Sequence, residues 1–151
     1  MNTRAPAGGR TLPAVTPLTE HFWRSGSRGE LTVMRCQSCG LYQHPPLPIC
    51  SRCLSRDRVP VVLSGKGVVA SFTVNYQPWR VDMVCPFVIA IVELDEQIGL
   101  RVTTNITNCP MEDVHIGMRV RVTFEQHEDV WLPMFEPDPS WPAARKTSHH
   151  G

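Results

Sequence analysis

No apolar run in the 151 residues approaches the ~20 that a bilayer-crossing helix needs, so a transmembrane span is excluded. The opening MNTRAPAGGR is not followed by the apolar core of a secretory signal, and a cytoplasmic protein is expected. Aromatic residues are few, at 7%, and 14 prolines outnumber 10 glycines, which disfavours long helices and points to strands and loops. Net charge is only +1, so nothing global attracts nucleic acid or an acidic membrane. The familiar catalytic patterns are missing too: there is no G-x-S-x-G, Walker loop, G-x-G-x-x-G or H-E-x-x-H. Gly65-Lys66-Gly67 is too short for a phosphate loop and reads as a turn between units. His21, His44, His115 and His127 are scattered and read as surface or capping residues, while Glu93, Asp95, Glu96 and Glu112-Asp113 read as solvated turn charges. Catalysis by this chain alone is therefore not expected.

What remains is ordinary globular material, 42% hydrophobic and 19% charged, in a chain long enough to bury about 70% of its unfolded surface. Residues 1–15 and 137–151 lack periodicity and read as disordered tails. Thr16-Pro17 is a suitable helix start, leading into a short amphipathic stretch through Phe22 and Trp23 that ends near Gly26 or Gly29. From Leu31 the chain turns to short strands, LTVMR, LYQH and VPVVL, around four cysteines. After Gly67 it is almost all strand. VVASFTVNY alternates, with Val68, Ala70, Phe72 and Val74 expected on one face. PFVIAIVELDE is continuously apolar, as in a strand buried on both faces or lying under a partner. GLRVTTNIT, MRVRVTFEQ and VWLPMF complete five strands, which suit a small closed barrel of the OB type. The expected organisation is a helical segment and ribbon over residues 16–65, then a barrel over 66–136.

Cys36, Cys39, Cys50 and Cys53 form two C-x2-C pairs ten residues apart. Two residues between thiolates let each pair chelate one ion from a tight turn, and four thiolates satisfy a tetrahedral metal. Zinc is the expected ion, with iron in the same rubredoxin-like cage as the rival. Two disulfides fit poorly with a chain lacking a secretion signal. Four thiolates also close the coordination sphere, so the metal is structural, fastening the proline-rich loop His44-Pro45-Pro46-Leu47-Pro48. Gly40 follows the first pair and can turn its amide towards sulfur, whereas Leu54 stands at that place after the second. Cys85 and Cys109 have no ligand partner nearby and read as buried free thiols.

The near-neutral total hides a division. The first tail carries +2, residues 16–65 carry +3, the barrel region carries −5 and the last tail +1. A dication with four thiolates would bring the ribbon to about +1. An acidic barrel repels phosphate, so nucleic acid is not an expected partner, and only Arg52, Arg56 and Arg58 on the ribbon form a basic cluster.

The order FW, GELTVMRCQSCGLYQHPPLPICSRC, SGKGVVASFTV, PFVIAIVELDE, TTNI and VHIGMRVRVTFE over residues 16–136 resembles the acyl-CoA-associated zinc-ribbon and OB-fold family, of the domain of unknown function 35 type. The resemblance implies a mainly β protein: a short N-terminal helix, a rubredoxin-like ribbon and a five-stranded OB barrel. It implies zinc on Cys36, Cys39, Cys50 and Cys53. It further implies a non-catalytic subunit of a thiolase or thiolase-like aldolase complex that makes or breaks carbon–carbon bonds in acyl-CoA, as in lipid or steroid degradation. The partner would carry the catalytic residues, and this chain would stabilise it and help form its CoA-thioester site. A subunit of a hot-dog-fold enoyl-CoA hydratase is the near alternative, and a single-strand nucleic-acid-binding OB protein the distant one. On this reading Arg52, Arg56 and Arg58 are candidates to meet CoA phosphates. Phe22, Trp23, Trp79 and Trp131 are candidates for the partner interface, although local packing of the helix on the barrel accounts for Phe22 and Trp23 equally well.

Overall fold

A computed structural model of the chain describes residues 10–140. A short helix, α1 (Glu20–Arg24), continues into one 3-10 turn at Ser25–Arg28. β1 (Leu31–Cys36), β2 (Tyr42–Gln43) and β3 (Arg58–Leu63) form an antiparallel sheet of order β2-β1-β3. β4 (Lys66–Asn75), β5 (Phe87–Leu94), β6 (Arg101–Asn105), β7 (Arg119–His127) and β8 (Val130–Pro137) form a second sheet of order β6-β5-β4-β7-β8. A parallel bridge between Ile106 and Phe135, with the Thr107 amide donating to the Phe135 carbonyl at 2.8 Å, closes that sheet into the expected OB barrel.

A five-residue helix cannot hold itself in water. Here Thr16 and Thr19 share a 3.0 Å hydroxyl bond ahead of it, so the helix begins three residues beyond the expected start. Arg24 pairs with Glu20 at 2.6 Å and with Asp129, in the β7–β8 turn, at 2.9 Å. Exposed pairs of this kind contribute little. The larger anchor is Phe22, 4% exposed, which joins Leu31, Val33 and Leu63 of the ribbon and the inner residues of the barrel in one core. The two sequence units thus share a single apolar interior, because the Leu31 to Leu63 end of the ribbon sheet is buried against the barrel.

β4 departs from its sequence pattern. Val69 pairs with Val92 but Ser71 pairs with Ile91, leaving Ala70 as a bulge. One extra residue reverses the inward phase: Gly67 and Val69 face the core before it, and Phe72 and Val74 stand opposite buried Ala90 and Val88 after it. The expected single face of Val68, Ala70, Phe72 and Val74 is correct only for the last two. β5, apolar at nearly every position, concealed its alternation. Val88, Ala90, Val92 and Leu94 are buried, while Phe87, Ile89 and Ile91 are only half-covered.

The expected tails lie largely outside the described residues, at 1–9 and 141–151. From residue 10 the chain touches the barrel: Arg10 bonds Asn105 at 3.2 Å and Glu125 at 2.8 Å, and Thr11 accepts from Arg80 at 2.7 Å. At the other end β8 runs one residue past 136, and Asp138 is buried beside Lys66 with its amide on the Arg119 carbonyl.

The joint between ribbon and barrel is sterically exacting. A Cβ on Gly67 would lie 2.4 Å from the Glu93 carbonyl oxygen and 2.8 Å from Val92 Cγ1. Backbone cannot swing aside as a side-chain tip can, so Gly67→Ala is expected to cost about 2 kcal/mol in denaturant unfolding. An unchanged midpoint would refute this close β4–β5 approach.

Candidate metal centre and the surface around it

Each cysteine pair sits on a tight turn. In the first, the Gly40 amide donates to the Cys36 carbonyl at 2.9 Å with Gly40 at φ +77°, and the Cys36 amide donates to Leu41 at 2.9 Å. The second repeats it: Leu54 donates to the Cys50 carbonyl at 3.0 Å and Cys50 to Ser55 at 2.9 Å. Leu54 adopts φ +63°, the left-handed conformation glycine takes in the first turn, so its side chain does not prevent the second turn from closing. The Arg52 amide points at Cys50 Sγ, 3.4 Å away. A Ser38–Ser55 hydroxyl bond of 2.9 Å ties the turns together, and Arg35 braces the first through the Gly40 carbonyl at 3.2 Å.

The four Sγ atoms all lie within 4.8 Å of one another, with Cys36–Cys53 at 3.5 Å and Cys39–Cys50 at 3.6 Å. A tetrahedron with metal–sulfur bonds of ~2.3 Å has edges of ~3.8 Å, so the donor set fits one zinc-sized ion. Charge supports the same fit. The Cys39 amide holds the Cys36 thiol down at about 6, and amides of the second turn, first that of Cys53, lower Cys50. Cys53 has a helpful amide from Ser55, yet the neighbouring sulfurs push it up to about 12. Four negative sulfurs this close need a cation to coexist.

Around the turns, Arg52 and Arg56 are exposed, with no ion-pair partner among the described residues. Arg58 differs: it pairs in register with Cys36 on β1, and its guanidinium donates to the Leu47 carbonyl, holding the proline-rich loop. Of the aromatic candidates, Phe22 is corrected. It is buried against Trp23, at 4.7 Å between ring centroids, and His44, at 4.4 Å, and has no surface to offer a partner. Trp23 packs half-buried on the core and Trp131 is half-buried beside Gly26. Trp79, 73% exposed, stands out among the four.

Several positioning residues were not legible as such. Gln97 bonds the Tyr42 backbone twice, accepting from its amide and donating to its carbonyl at 3.0 Å each, which extends the ribbon sheet onto the β5–β6 turn. Glu96 accepts from the Ser64 amide at 2.8 Å, and Asp95 binds Arg119 through both oxygens at 2.7 and 2.6 Å. Of the acids expected to be solvated, Glu96 thus ties the β5–β6 turn to the end of the ribbon, while Asp95 braces that turn against β7 within the barrel. His21 and His44 are not surface residues either. Both are half-buried where α1 meets the ribbon, His21 against the Leu18 backbone, and among the described residues Nδ1 of His44 has no hydrogen-bond partner. The only sequence signal was FW, which placed an aromatic anchor beside His21. Among the described residues no helix is long and apolar enough to cross a membrane.

The comparisons with known proteins now have a geometry to explain. Residues 23–57 match the family described as "ChsH2, rubredoxin-like zinc ribbon domain" and residues 60–125 that described as "ChsH2, C-terminal OB-fold domain". The chain is 34% identical over 111 residues to a "DUF35 domain-containing scaffold protein" of Methanothermobacter thermautotrophicus, covering 72% of this chain and 82% of that protein. It is 32% identical over 133 residues to a "Probable enoyl-CoA hydratase alpha subunit" of Thermomonospora curvata, covering 87% of this chain but 41% of that protein. The chain thus spans about two fifths of the hydratase subunit's length. Among solved structures it superimposes with a TM-score of 0.75 on a chain of "Ltp2-ChsH2(DUF35) aldolase", at 31% identity, covering 83% of this chain and 98% of that one.

Proposed function

We infer that this chain, which belongs to the DUF35 family of paired zinc ribbons and OB barrels, is a non-catalytic subunit of a thiolase or thiolase-like aldolase complex acting on acyl-CoA. The observation that carries this reading is the likeness to the chain in the aldolase structure, which extends over 98% of that chain. The metal is zinc, held by Cys36, Cys39, Cys50 and Cys53. It supplies a crosslink rather than chemistry, since four thiolates leave it no open position. The partner brings the catalytic residues, and this chain stabilises it. Arg52 and Arg56, whose side chains have no ion-pair partner among the described residues, are the groups that would meet CoA phosphates, while Arg58 is committed to the Leu47 loop. A hydratase partner is the second reading, favoured by the name of the Thermomonospora relative.

Affinity purification of the chain from its native host tests both. Recovery of a thiolase-like enzyme in fixed ratio, with acyl-CoA carbon–carbon cleavage that needs both chains, is the expected result. A hot-dog-fold enzyme with hydratase activity would support the second reading instead. Recovery of the chain alone, with salt-sensitive oligonucleotide binding, would sink both. In the assembled complex, Arg52→Ala with Arg56→Ala should raise KM for the CoA thioester about tenfold, leaving kcat unchanged.

A further inference from the structure

We propose that the open edge of β4, residues 71–75, receives an extended uncharged segment of the partner enzyme subunit as an added strand, beside the exposed loop that follows it. The proposal rests on the subunit reading above and names the surface that would serve it.

β4 pairs with β5 along nearly its whole length but with β7 only at Lys66, Gly67 and Val68. The Gly117 amide on the Val69 carbonyl at 2.8 Å, and the Val69 amide on Met118 at 3.0 Å, end that second contact. Beyond the Ala70 bulge, no strand among the described residues pairs with the other edge of residues 71–75. In an antiparallel strand alternate residues turn their N–H and C=O away from the neighbour, so this edge presents unpaired backbone donors and acceptors. Ser71, Phe72 and Thr73 are exposed beside it. Lone proteins blunt such edges with lysine, inward charges or proline. From Gly67 to Trp79 this chain carries no charged residue, and no proline falls within 71–75.

The adjoining loop adds an apolar wall. Tyr76, Trp79, Val81 and Val84 are exposed at 68, 73, 107 and 83%, next to Phe72 at 36%. Backbone pairing for affinity and apolar pockets for alternate side chains together make the strand-addition mode of recognition.

The occupant follows from the shape of the opening. At one end Gly117 and Met118 of the β7 side bond to Val69, and at the other β4 ends and the chain turns into the loop after Tyr76. A second copy pairing antiparallel about Thr73 would bring its residues 67–69, with β7 attached, against Gln77, Pro78 and Trp79 of the first. Residues 1–9 of this chain contain Pro6, Gly8 and Gly9, a poor strand sequence. A short neutral segment of a different protein meets neither obstacle.

Amide hydrogen exchange on the chain alone and on the native complex tests this. Amides within 71–75 should exchange at least about tenfold more slowly in the complex. Ser71→Lys with Thr73→Lys, both at exposed positions, should weaken assembly about tenfold or more while zinc content and thermal midpoint stay at wild-type values. Equal exchange in the complex, or full assembly of the lysine variant, overturns the docking site and leaves the subunit reading standing. Protection of 71–75 in the lone chain, with concentration-dependent dimerisation, makes a second copy the occupant and overturns it too. If no enzyme co-purifies, the subunit reading and this proposal fall together.

Discussion

Removing the metal with a chelator, or replacing Cys50 by serine, is expected to unfold residues 37–57 while leaving the barrel folded. Little besides coordination orders that stretch. It contains one two-residue strand and two turns, and none of its residues belongs to the core shared with the barrel, although Tyr42 packs against that core. Structural zinc supplies about 10–16 kcal/mol in small ribbons, far more than the turn hydrogen bonds, at about 1 kcal/mol each, could replace. β1 and β3 should survive, because Leu31, Val33 and Leu63 are buried with barrel residues. Limited proteolysis should therefore cut the metal-free protein within 37–57 and spare residues 66–137, with about one equivalent of zinc lost per chain. The proline-rich loop and Arg58 would lose their mutual anchor, so assembly with the proposed partner enzyme should fail even though no catalytic group has changed. Less than about half an equivalent of metal in the purified protein, or a digestion pattern indifferent to chelation, would falsify the assignment.

Acidification from pH 7 to 4 is expected to weaken the junction of α1 and ribbon by about 3 kcal/mol, through His44. Burial lowers its imidazole from 6.5 to about 4, and the facing His21 adds to the effect. His21 is itself lowered, first by burial, with Arg58 contributing and a backbone contact at Leu18 opposing. The neighbours of His44 are the Phe22 ring and the potentially cationic His21, on which Arg58 acts in turn, and among the described residues no carboxylate bonds either imidazole. Above pH 6.5 both folded and unfolded chains hold a neutral His44, so the full stability is present. Below 6.5 the unfolded chain takes up a proton that the folded chain refuses. Stability then falls by about 1.4 kcal/mol per pH unit until the folded group titrates near 4. Urea unfolding at pH 7 and pH 5 should differ by about 2 kcal/mol, and His44→Gln should remove most of that difference. Zinc content measured on the same samples separates this from loss of the metal. A variant that keeps the whole pH dependence would place its origin elsewhere.

Much of this fold was legible because its signals are local. Eight strands follow from apolar stretches broken by Gly, Pro and Asn, and the spacing of four cysteines states a tetrahedral site before any coordinates exist. What escaped was set by contacts distant in sequence. The bulge at Ala70 has no local mark: an alternating run stays alternating on paper, and the pairing of Val69 with Val92 and Ser71 with Ile91 reverses its phase. Gln97 and Glu96 look like any polar turn, and only the approach of Tyr42 and Ser64 gives them partners. His21 and His44 lie 23 positions apart, and nothing in either neighbourhood says that they meet.

By itself, then, the sequence determined the ribbon, the four cysteines placed to hold a metal, the OB strands and the family, because each depends on residue type at short and fixed spacing. Only the tertiary structure decided that ribbon and barrel share one core, that Phe22 and Arg58 are spent inside the chain, and that no strand among the described residues pairs with the outer edge of β4 past Ala70. Burial and pairing arise from surfaces that meet across the chain, and a linear pattern records the apolar or polar character of those surfaces without recording what they meet.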